Sequence, residues 1–208
     1  MQPAKTARRT PVQGRSQETV QRVLAATAVL LGRGVALEVL TTAQIAAEAG
    51  ISVGALYRFF PDKQAIVDAI AVRHMENFQQ RLAAHIMLSL PADAPAFLAT
   101  VVDAFAAYLA ENPDFRTVAY GAPGRGRTIS RPTQDFFADS GEMAELVKSF
   151  LHEAFGIAPT PELELRLRMA TEIGDRLLGC AFEQPDEAER ARVLAEAKRI
   201  LVHTLFGA

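Results

Sequence analysis

The stretch TTAQIAAEAGISVGALYRFF, residues 41–60, constrains this chain most, because it packs two helix starts and one helix stop into twenty positions. Thr41 followed three residues later by Gln44 is a capping box, so a short helix opens there. Ile45, Ala46 and Ala49 give it a narrow buried face of small residues. Gly50 can take the left-handed conformation that ends a helix, and Ser52 can cap the next one at once. Two short helices across a tight glycine turn form a helix-turn-helix, whose second helix can enter a DNA major groove. On that helix Leu56 and Phe60 lie four apart and point inward, which leaves Val53, Ala55, Tyr57 and Arg58 outward. Asp62 caps a further helix, setting Lys63 and free backbone N–H groups where a phosphate could be held.

A helical hairpin with a merely solvated polar face would show the same local signals, so the charge distribution matters. Residues 1–71 hold eight Lys/Arg against five Asp/Glu, a net +3, while the remainder holds 14 against 19, a net −5. A basic front end and an acidic back end suit a chain that meets a polyanion at one end only, and equally a basic tail on an ordinary domain, so charge alone does not decide. The lone Cys180 excludes an internal disulfide and fits a reducing cytoplasm. No apolar run approaches the roughly 18 residues of a membrane span, so no membrane partner is expected.

Beyond this motif the chain reads as all-α. Residues 1–15, rich in Pro, Gly, Gln and Thr with no apolar period, read as a flexible basic arm. Val20, Val23, Leu24, Thr27, Leu30 and Leu31 form a helical stripe that Gly32 and Gly34 end. Ile66, Ile70, His74, Phe78, Leu82 and Ile86 recur every four residues, predicting one long helix from about Asp62 to Leu88. Asp93 caps another, stopped at Asn112-Pro113. Gly121 to Pro132 reads as a loop, followed by helical periodicity from Thr133 to Phe155. Thr160-Pro161 opens a helix to about Phe182, and Gln184-Pro185-Asp186 opens the last, to about Phe206. The first of these two is apolar on more than one side: Leu163, Leu167, Ala170, Ile173, Leu177 and Ala181 on one, Leu165, Met169 and Leu178 off it. Such a helix buries two surfaces, either within one core or against a second copy.

Several chemical motifs fail on context. Gly50-Ile51-Ser52-Val53-Gly54 has the spacing of a nucleophile elbow, but that turn follows a strand and here a helical pattern precedes it. GAPGRGRT at 121–128 imitates a P-loop with Arg127 in place of its lysine, and Pro132 interrupts the helix a P-loop must open. His74, His85, His152 and His203 lack metal-ligand spacing. No catalytic residue, metal or cofactor is therefore expected, and the chain is read as a non-enzyme.

Residues 16–70, and IAAEAGISVGALYRFFPDK within them, resemble the DNA-binding domain of the TetR family, whose signature runs IA-x-x-AGVS-x-G-x-LY-x-x-F-x-x-K. The resemblance implies a DNA-binding domain at 16–61 and a helical effector-binding and dimerisation domain at 62–208. It implies a repressor that binds a double-stranded DNA operator and is released by a small-molecule effector. It also implies a homodimer paired through helices at about 161–183 and 186–206. Carried over position by position, Thr41, Thr42, Ser52, Val53, Gly54, Ala55, Tyr57, Arg58 and Lys63 form the DNA-facing set. Two departures stand out: the Gly34–Ile45 interval is about two residues longer than is usual in the family, and Phe59 replaces the usual His or Tyr, removing one polar backbone contact. Val53, Gly54 and Ala55 offer no side-chain hydrogen bonds, so base reading falls to apolar contact, Arg58, and the arm's Arg8, Arg9 and Arg15. Candidate effector-pocket residues are His74, Phe78, Phe105, Tyr108, Phe136 and Phe137. The rival reading is a helical small-molecule binder or enzyme with a vestigial helix-turn-helix.

Overall fold

The computed structural model describes the backbone of residues 11–121 and 141–207, with side chains for 16–121 and 144–207. The arm up to residue 10, the loop expected beyond Gly121, and both Phe136 and Phe137 lie outside the described residues. All regular structure among them is helical: α1 (Pro11–Gly32), α2 (Thr42–Glu48), α3 (Val53–Leu56), α4 (Lys63–Leu88) and α5 (Ala94–Glu111). These are followed by α6 (Pro113–Tyr120), α7 (Gly141–Phe155), α8 (Pro161–Glu183) and α9 (Glu187–Phe206).

The boundaries follow from local chemistry. Side-chain oxygens of Asp62, Asp93, Thr160 and Asp186 accept hydrogen bonds from backbone N–H groups three residues on, at 2.8, 2.8, 3.2 and 2.8 Å. Each cap satisfies a donor that the helix cannot, worth about 1 kcal/mol. Two boundaries differ from expectation. The first helix starts at Pro11 rather than at residue 16, so the helical backbone takes in the last five residues of the expected arm. Proline in a first turn loses no hydrogen bond and already has helical φ. Asn112-Pro113 does stop α5, but it also opens α6, because Pro113 occupies a first helical position in the same way.

The head packs α2 and α4 against α1, with α3 held to α2. Val23, Leu24, Leu31, Ile45, Leu56, Ile66 and Ile70 are buried there in one cluster. In the rest of the chain α5 is the central element, touching α4, α6 and α9. Its 18 residues have a mean hydropathy of 1.3, so α5 comes nearer to a membrane span than the sequence pattern suggests. The reason is internal: Phe97 and Leu109 are fully buried, and Phe97 stacks on Phe150 of α7 at 4.3 Å. α8 and α9 pack tightly and run antiparallel, since Arg166 near the start of α8 donates to the Leu205 carbonyl near the end of α9. α6 lies on α1 as well as on α4 and α5, so it bridges the head and the larger helical body.

Candidate nucleic-acid interface and effector cavity

The helix-turn-helix is assembled as its caps predict. The Thr41 hydroxyl accepts from Gln44 N at 3.2 Å while the Gln44 side chain accepts from Thr41 N at 2.9 Å, closing the capping box. Gly50 turns the chain at φ +64°, and Ser52 Oγ accepts from Ala55 N at 3.1 Å. That hydroxyl is engaged as a cap directly after a helical segment, so the nucleophile-elbow reading of Ser52 has no structural support. The second helix is shorter than the spacing predicts, ending at Leu56, so the buried pair that fastens it inward is Leu56 at its end and Phe60 just beyond the following turn.

Nearly all of the sequence-derived set then faces outward. Thr41, Ser52, Val53, Gly54, Tyr57 and Arg58 are exposed, while Thr42 and Ala55 are half-buried. Thr42 and Tyr57, fifteen residues apart, meet through their hydroxyls at 3.1 Å, which fixes the Tyr57 phenol on this surface. Gly54 is informative for what does not surround it. Its φ is not positive, and a Cβ added there would meet no atom within 4 Å, so nothing inside the protein requires glycine. Glycine in a helix costs about 1 kcal/mol relative to alanine. Phe59 packs against the hydrophobic core rather than outward, as its apolar character demands.

Lys63 departs from its expected setting. It is half-buried, and its ammonium donates to the Leu37 carbonyl at 2.6 Å, tying the start of α4 to the α1–α2 connection. Arg22 has no place in the sequence-derived set, yet its guanidinium donates to the Ala49 carbonyl and, at 3.1 Å, to that of Gly50. It thereby holds the turn between the two short helices against α1. No spacing rule relates Arg22 to residues 27 or 28 positions away, so only the folded head reveals it.

The second feature is an apolar cavity of about 140 Å³ in the larger body. Met75 and Phe78 of α4, Val101 and Phe105 of α5, and Tyr120 of α6 form one side. Val147 of α7, Leu167, Gly174 and Leu178 of α8, and Leu201 and Leu205 of α9 form the other. Of the candidate pocket residues, Phe78 and Phe105 line this space, whereas His74 and Tyr108 do not.

His74 and Tyr108 are spent on each other. The imidazole Nδ1 lies 2.9 Å from the Tyr108 hydroxyl, and Nε2 lies 2.9 Å from Asp114 Oδ2. The ring also stacks on Phe115 at 4.8 Å. His74 is buried, so each ring nitrogen needs a partner, and this arrangement supplies one to both. Burial pushes the Tyr108 hydroxyl above its ordinary range, so at neutral pH it carries a proton to share with His74. Burial also pushes the Asp114 carboxyl up, but the hydrogen bond and charge of His74, with backbone N–H groups at the start of α6, outweigh that and hold it below its usual value. The triad thus joins α4, α5 and α6 at a point between head and cavity. Asp114 is absent from the sequence-derived candidates because α6 itself is not anticipated there.

Comparisons agree with this architecture. Residues 23–70 match the family described as bacterial regulatory proteins, tetR family, and residues 93–205 match a tetracyclin repressor-like C-terminal domain. A TetR-family transcriptional regulator from Streptomyces coelicolor is 26% identical, with a TM-score of 0.67, over 90% of this chain and 97% of that one. A TetR transcriptional regulator from Rhodococcus sp. RHA1 is 19% identical, with a TM-score of 0.63, over 92% and 98%. FadR from Bacillus subtilis, in complex with stearoyl-CoA, is 15% identical, with a TM-score of 0.65, over 88% and 98%. No curated protein matches the chain by sequence.

Proposed function

Because the chain belongs to the TetR family and is a DNA-binding transcriptional regulator, we propose that it is a repressor released from its operator by a small molecule held in the α4–α9 cavity. The reading rests on one observation. α4 is a single helix whose first turns, Ile66 and Ile70, are buried in the head core, and whose next turns, Met75 and Phe78, line the cavity. A ligand that prefers one setting of α4 therefore shifts the head, and by linkage operator DNA shifts ligand affinity by the same factor. α6 gives a second route, since it packs on α1 and contributes Tyr120 to the cavity wall.

In this proposal Thr41, Thr42, Ser52, Val53, Gly54, Ala55, Tyr57 and Arg58 face the DNA. Tyr57, held by Thr42, contacts phosphate, and the unexplained glycine at 54 allows close approach of a backbone from outside. Lys63 first serves the Leu37 carbonyl, and its remaining two donors can reach a phosphate. The DNA-binding domain spans about residues 11–61 and the effector and dimerisation domain 62–208. α8 and α9 pair with a second copy: Leu165 and Met169 stand 43% and 49% exposed on the side of α8 away from the core. The two heads then read half-sites about 34 Å apart in successive major grooves. A regulator of this kind works where the chromosome is, in the cytoplasm.

The test is fluorescence anisotropy of the full-length protein on fragments selected from its source genome. Affinity should fall linearly in log K against log salt, by counterion release. Absence of binding to every fragment at low salt overturns the DNA assignment. Unchanged operator affinity when the cavity is saturated overturns release.

A further inference from the structure

The cavity wall restricts the chemistry of the effector, an inference that rests on the cavity being the effector site. Most of its described lining is aliphatic or aromatic, and among the described residues polar side chains enter through Tyr120, Thr171 and Asp175. None of the lining residues among those described is Lys, Arg or His. An anionic ligand would leave water for a wall that returns no positive charge, and a polyol would lose more hydrogen bonds than three side chains can restore. Size narrows the choice further. An apolar cavity of about 150 Å³ in another protein takes up benzene, so 140 Å³ fits one ring or a short branched chain.

Asp175 sets the remaining requirement. The Thr171 hydroxyl already donates to the Leu167 carbonyl, so towards the cavity it can only accept. A carboxylate accepts at about four lone-pair positions, so Asp175 keeps acceptor capacity even while engaged within the protein. Both groups lie on α8, four residues apart, on the turn that also presents Gly174 to the cavity. The described wall therefore offers acceptors at Asp175 and Thr171, the Tyr120 phenol on α6, and apolar surface elsewhere.

We propose that the cavity takes a small neutral molecule, one ring or a short branched alkyl chain, bearing an O–H or N–H donor that Asp175 and Thr171 receive. Carboxylates, long acyl chains and polyols suit the described wall less well.

Isothermal titration calorimetry on the full-length protein tests this with benzyl alcohol, its isostere ethylbenzene, benzoate, dodecanoate and glucose. Benzyl alcohol should bind at least tenfold more tightly than benzoate, with glucose silent. In Asp175→Leu, benzyl alcohol should weaken at least fivefold while ethylbenzene stays within twofold, the latter showing that the variant is folded. Gly174→Leu, which fills the cavity, should abolish both. Equal binding of benzoate and benzyl alcohol, tighter binding of dodecanoate, or equal loss of both isosteres in Asp175→Leu overturns the proposal. The two readings separate in an operator-release assay. Release by dodecanoate but not benzyl alcohol refutes the effector class and leaves release intact. Benzyl alcohol occupying the cavity without releasing any fragment supports the class and refutes release.

Discussion

Replacing Asp114 probes the buried junction between head and body with a magnitude that follows from its geometry. Its carboxylate accepts from His74 Nε2 at 2.9 Å, and its side chain is only 14% exposed. A hydrogen bond to a charged group is worth about 1.5–3 kcal/mol and a neutral one about 0.5–1.5. Asp114→Asn keeps an acceptor and loses the charge, so it should cost about 1 kcal/mol at pH 7. Asp114→Ala leaves the imidazole N–H of a buried ring without a partner and should cost about 2–3 kcal/mol. For a chain of this size about 1 kcal/mol moves Tm by roughly 2–4 °C, so scanning calorimetry at one fixed protein concentration resolves both. The folded carboxyl titrates below its ordinary value of 3.8. Its stabilisation is thus fully present above that value and is lost as pH falls through the lower, folded value. The gap between the native protein and Asp114→Asn should be full at pH 7 and narrow progressively below about pH 4. A gap that is absent at pH 7, or one equally wide at pH 7 and pH 3, would refute the assignment of Asp114 as a stabilising partner of His74.

Other perturbations separate head, interface and cavity. Gly50→Ala forces a Cβ onto a residue at φ +64°, with Arg22 Nη2 3.1 Å away, and should destabilise by about 1–2 kcal/mol in thermal denaturation. An unchanged Tm would show that the turn relaxes freely. Tyr57→Phe removes an exposed hydroxyl and should leave Tm within about 2 °C. The same change should lower affinity for all operators alike, by roughly fivefold, and a loss confined to one base pair would contradict a phosphate role. Met169→Glu sets a charge on the exposed apolar side of α8 and should weaken self-association at least tenfold by analytical ultracentrifugation, with the monomer still helical. A dimer of unchanged affinity would place the interface elsewhere.

The helix-turn-helix was legible residue by residue because caps and stops act within four positions. Thr41 with Gln44, Gly50 and Ser52 each exert their effect on neighbours in sequence, and the inward pair Leu56 and Phe60 follows from helical spacing alone. The same logic places Asp62, Asp93, Thr160 and Asp186 at helix starts. It was also sufficient for α6: Asn112-Pro113 carries the same proline-first signal as Thr160-Pro161, but reading it only as a stop concealed the helix behind it.

The candidate pocket was harder. The stripe on α4 holds His74 and Phe78 at one helical spacing, and periodicity assigns both to the same apolar face. It cannot say that His74 finds Asp114 40 residues away while Phe78, one turn on, reaches open space. Arg22 on the Ala49 and Gly50 carbonyls, and Lys63 on that of Leu37, are likewise pairings across elements.

Helix identity, the glycine turn and the outward set at residues 52–58 thus needed nothing beyond short-range hydrogen bonding and hydrophobic period. Which buried polar groups meet, and where packing leaves a void, depended on how α4, α5 and α6 come together. Those contacts join residues far apart in the chain, and no local rule encodes their distance.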